Sequence, residues 1–157
     1  MSIFKNLLLI IILLGKPILA DDKLQLSQQL RPLSEVLAQE QSLHMMNYIF
    51  QRCSALMMEM AQRTERGGKR EGSEKLISIM SKGYETFAMI SAESISDIKG
   101  RSSSESSESL TEALETILKI HKMYFQEMES EYLKSGNAIN EKTQQDINIC
   151  VELLRGK

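Results

Sequence analysis

The stretch Gln51 to Met60, QRCSALMMEM, places Cys53, Met57, Met58 and Met60 within eight positions. Thiolates and thioethers are the ligands that select Cu(I), so residues of these types at this spacing raise the question of a soft-metal site. Helical geometry divides the group. At about 100° per residue, Met46, Met57 and Met60 fall within about 40° of Cys53, whereas His44 is about 180° away and Met58 also points outward. A Cys53 consumed in a disulfide would have no thiolate to offer. The chain has ten methionines, no tryptophan and only four phenylalanines and four tyrosines, so the methionines read as adaptable core filler.

His121 is the other residue with chemical potential. Leu114, Ile117, Tyr124, Phe125 and Met128 all lie within about 60° of it on a helix, which puts it in the middle of an apolar arc. A buried histidine satisfied by one carbonyl or hydroxyl is the expected outcome. Two carrier alternatives can be written. Met46 and Met89 lie at the height of His121 on neighbouring helices, the ligand pair some bundles use for b-type haem. Met57, Met60, Met80 and Met128 share one depth in the bundle and could form a thioether layer suited to Cu(I). Neither is preferred, and no cofactor or metal is expected.

Other chemistries lack their parts. There is no CxxCH for covalent haem, and the residues three before His44 and His121 are Gln41 and Leu118, not the glutamates of a di-iron bundle. No G-x-S-x-G, H-E-x-x-H or phosphate-binding glycine loop is present. The two histidines sit far apart in the chain with no nucleophile beside either, so the chain is not expected to be an enzyme.

The N-terminus, MSIFKNLLLIIILLGKPILA, has a lysine ahead of an apolar run and a small residue at Ala20, the layout of an export signal. A membrane span needs roughly 20 apolar residues, and Lys16 with Pro17 interrupts this run too early. Cleavage after Ala20 would remove two lysines and leave 17 basic against 21 acidic side chains. That balance does not suggest a nucleic-acid partner. An exported chain reaches a periplasmic or extracellular compartment where its two cysteines can oxidise.

The elements that must position these residues are helices, because apolar residues recur at spacings of three and four. We expect a signal peptide over 1–20, a lead-in over 21–33 and a single all-α, up-down-up-down four-helix bundle over 34–157. The expected helices run over roughly 34–64, 73–99, 109–135 and 138–154. A serine-rich linker at about 100–109, flexible for part of its length, precedes a third helix capped by the Ser109 to Glu112 box. Gly136 should end that helix.

In such a bundle the first and fourth helices are antiparallel neighbours. Cys53 lies 11 residues before the end of one and Cys150 lies 12 after the start of the other, so at 1.5 Å per residue they match in height to within about 2 Å. A Cys53 to Cys150 disulfide is therefore expected. Arg63, Arg66, Lys69 and Arg70 gather at one bundle end and could meet an anionic partner. Arg66, Lys69 and Arg70 should be dispensable for folding, since the Gly67 and Gly68 turn carries them outside the packed stripes. The functional expectation is an exported, non-enzymatic protein that binds another protein or an envelope component. A small-molecule carrier built around His121 or the methionine layer is the alternative.

Overall fold

A computed structural model describes residues 30–39, 42–68 and 70–156 of the chain. The expected export signal, the start of the lead-in and Lys69 lie outside the described residues. The described chain is helical, with five α-helices and one 3-10 turn: α1 (Leu33–Leu37), α2 (Leu43–Arg66), α3 (Ser73–Lys99), the 3-10 turn Ser103–Glu105, α4 (Ser106–Ser135) and α5 (Glu141–Leu154). No described helix is long and apolar enough to cross a membrane.

The first expected helix is two. α1 ends at Leu37, and α2 begins afresh after Ser42, whose Oγ accepts the Met45 N–H at 3.1 Å. This is an N-cap, which satisfies a donor that the new helix would otherwise leave open. Leu30, Leu33 and Val36 are buried, so the last part of the stretch read as a lead-in is packed against the bundle. α5 starts in the same way as α2, with Asn140 Oδ1 accepting the Thr143 N–H at 2.8 Å.

The serine-rich stretch 100–109 is also not the linker expected. Gly100, in the left-handed region at φ 61°, ends α3, and a capping box forms at once between Ser102 and Glu105. Ser102 is the first serine with a glutamate three residues on, so it starts the helical path about seven residues earlier than Ser109 would. Ser109 is fully buried inside α4, and its Oγ accepts from Ser96 Oγ and Arg101 Nη1, both at 2.9 Å. Glu112 pairs with Lys99 at 2.6 Å. The residues read as a cap therefore pin α4 to the end of α3. Gly136 does end α4, at φ 76°.

Most packing is among α2, α3 and α4, while α5 and α1 lie against α2 and each other. This places α2 in the centre. From Ile49 to Met57 every residue but Phe50 is buried, including Gln51, Arg52 and Ser54. The α2–α3 seam is close because position 83 is glycine: a Cβ there would lie 2.5 Å from Met57 Sδ and 2.9 Å from Leu154 Cδ1. Cys53 and Cys150 form a disulfide with Cα atoms 5.4 Å apart, joining α2 to α5 across 97 positions of sequence.

Candidate functional site

Two buried ionic clusters and one exposed apolar stripe are the features with functional potential. The first cluster joins α2, α4, α5 and the approach to α1. Arg52 on α2 is fully buried, and its Nη2 donates to Asp146 Oδ2 on α5 at 2.7 Å and to the Tyr124 hydroxyl on α4 at 2.7 Å. Arg52 Nε reaches the same hydroxyl at 3.1 Å, and the hydroxyl donates to Asp146 Oδ2 at 2.9 Å. Asp146 Oδ1 accepts the Leu33 N–H at 2.7 Å, and Arg52 Nη1 donates to the Arg31 carbonyl.

Burial pushes the Tyr124 phenol far above its ordinary range, with Asp146 adding to the shift and Arg52 opposing it. The hydroxyl is thus a permanent donor to Asp146. Burial works against the Arg52 charge, but Tyr124 and Asp146 outweigh it and hold the guanidinium charged. Both Asp146 oxygens are occupied, so this cluster offers no open position to a substrate. What it does is clasp the start of α1 to three other helices.

The second cluster lies toward the end of α2. Glu59 is fully buried, and its Oε1 accepts from Arg63 Nε at 3.1 Å and Arg66 Nη2 at 2.8 Å. Arg63 also reaches Glu129 on α4 at 2.9 Å. His121 Nε2 stands 2.9 Å from Glu59 Oε2. Of the groups around Glu59, this close neighbour does most to keep the carboxylate ionised. At that distance Nε2 must carry a proton, because two lone pairs would repel.

Desolvation would raise the Glu59 pKa, but His121, Arg66 and Arg63 together hold it below the ordinary carboxylate range. The resulting pH dependence has a definite sign. A carboxyl depressed in the folded state stabilises the fold above its unfolded pKa, near 4.5, and that contribution disappears as pH falls through the folded value. Glu59→Gln is expected to lower stability at neutral pH by about 1–3 kcal/mol and to flatten the loss of stability below pH 4.5. Urea midpoints measured across the acid range check both parts; a variant with an unchanged acid slope would show that Glu59 is not the group responsible.

These contacts revise the basic patch. Arg63 and Arg66 are engaged with Glu59, and the Arg66 guanidinium also stands 5.4 Å from the Phe125 ring centroid. Arg66 is expected from the sequence to be dispensable, because the turn beside it reads as solvated; the buried carboxylate two turns back is what draws it in. Arg70 is exposed, its backbone bonded to Ser73. Of the three cations among the described residues, two are thus drawn toward Glu59 and Arg70 is left exposed.

The three residues of the haem alternative lie in different surroundings. Met89 is 52% exposed, Met46 only packs against the rim of the core, and His121 faces Glu59. Met57 and Met80 are in the main core with Met60 against it, and Met128 is buried. Among the described residues, no group of three or more His, Cys, Asp or Glu could hold a metal ion. The chain matches no protein-family model, and no curated protein or solved structure is significantly similar to it.

Sequence reasoning missed Arg52, Glu59 and Asp146. One signal was available: Asp146 stands four residues before Cys150 and next to Ile147, on the face expected to be buried. Arg52 and Glu59 carried none, since both fall off the single apolar stripe that a peripheral helix would show.

The third feature is on the outside. Along α4, Leu118, Phe125 and Tyr132 recur every seven residues with 55%, 36% and 53% exposure, and Leu133 beside them is 82% exposed. The stripe spans about 21 Å.

Proposed function

We propose that this protein is an exported, non-enzymatic bundle that acts by binding another macromolecule through the α4 stripe. In this reading, residues 1–20 direct export to the periplasm or beyond, and the mature chain is an up-down-up-down bundle of α2, α3, α4 and α5. A disulfide is compatible with an oxidising compartment. The observation that carries the reading is the row Leu118, Phe125, Tyr132 and Leu133, because large apolar side chains aligned on an exposed face mark interaction sites more often than scattered ones do. The buried ionic groups are consumed in holding helices together, which leaves the surface as the place where specificity resides.

The test is site-specific photo-crosslinking in the native envelope. A crosslinker at Leu133 is expected to capture a macromolecule, and one at Glu108, exposed near the opposite end of α4, is not. Equal capture from both positions, or none from either, would remove the stripe as the contact surface.

A further inference from the structure

Resting on the reading of the α4 stripe as a contact surface, we infer that its occupant is a second copy of this chain, paired antiparallel along α4. The charges beside the stripe make it self-complementary in that orientation alone. Lys122 and Glu129 lie on the same flank of the stripe, about 60° and 40° round the helix from Phe125. In an antiparallel pair of helices related by a two-fold axis, positions on one flank meet positions on the same flank of the other copy. An axis passing between Phe125 and Gln126 sets Lys122 against Glu129 of the second copy, and Glu129 against its Lys122.

The same axis sets Leu118 against Leu133 of the second copy, twice by symmetry, and brings the two Phe125 rings to the centre. The most exposed leucine of the described chain, at 82%, thus gains an apolar partner. In a parallel pair each flank meets the opposite flank of the other copy, so Lys122 and Glu129 would find no charged partner in each other across the seam. Glu129 is also prepared for the role: Arg63 holds its Oε1 at 2.9 Å while the side chain stays 43% exposed. A lipid surface is a poorer occupant, because it would have to desolvate Lys122 and Glu129 without pairing them.

Sedimentation equilibrium of the signal-free chain tests this. The expected result is a concentration-dependent monomer and dimer equilibrium in which Leu133→Asp weakens association by at least about tenfold with no change in melting temperature of the dilute protein. Lys122→Glu alone and Glu129→Lys alone should each weaken it, and an equimolar mixture of the two should restore dimers, since every facing pair is then of opposite charge. If Glu129→Lys fails to fold, Leu133→Asp and Lys122→Glu decide the matter by themselves. A wild-type chain that stays monomeric at high concentration, or association indifferent to Leu133→Asp, overturns the inference. Monomers accompanied by stripe-dependent crosslinking to a different macromolecule would overturn the pairing and leave the docking role standing.

Discussion

Asp146→Ala is expected to destabilise the protein by about 3–5 kcal/mol, the range for removing one partner of a buried ion pair. The loss would come from what is left behind. Arg52 is fully buried, and without Asp146 its guanidinium keeps the Tyr124 hydroxyl and the Arg31 carbonyl but no counter-charge. The Leu33 N–H would lose its acceptor too. Because those contacts hold the start of α1, hydrogen exchange should speed up first in residues 31–37, ahead of α2 and α3. The control is the triple replacement Arg52→Met, Tyr124→Phe, Asp146→Leu. It removes the whole cluster and should recover most of the loss, since an apolar substitute of similar volume is often as stable as a buried pair. A single Asp146→Ala protein as stable as wild type in urea would mean that water, not Asp146, neutralises Arg52.

The disulfide carries the second large effect. Cys53 and Cys150 are both fully buried, and the bridge closes a loop of 97 positions. Replacing both with alanine is expected to cost about 2–5 kcal/mol, chiefly by enlarging the conformational freedom of the unfolded chain. α5 is the element most dependent on it. With 14 residues, it falls within the roughly 12–15 residues below which isolated helices are marginal in water. The oxidised native protein should show no free thiol and should migrate faster than its reduced form on a denaturing gel. Two thiols that react readily in the oxidised, folded protein would contradict the bridge and return QRCSALMMEM to consideration as a metal-binding face.

The amino-acid pattern by itself determined the helical class, the disulfide and the stop at Gly136. Those depend on local rules: apolar spacing of three and four, matched heights along antiparallel helices, and a glycine able to take positive φ at a helix end. Legibility failed where two local signals competed, as at Ser102 and Ser109, and where a residue's neighbours come from distant parts of the chain.

Arg52 is the sharpest case. On a helix with one buried stripe it would reach solvent, but α2 is enclosed by α1, α3, α4 and α5, so nearly its whole circumference is interior and its charge had to find Asp146, 94 residues away. Glu59 follows the same logic, drawing in Arg66, which reads from the sequence as a solvated turn residue, and His121, which reads as a core histidine satisfied by a carbonyl or hydroxyl. Periodicity shows which side of a helix is apolar. How many sides are covered is decided only by tertiary packing, because that depends on which helix stands in the middle.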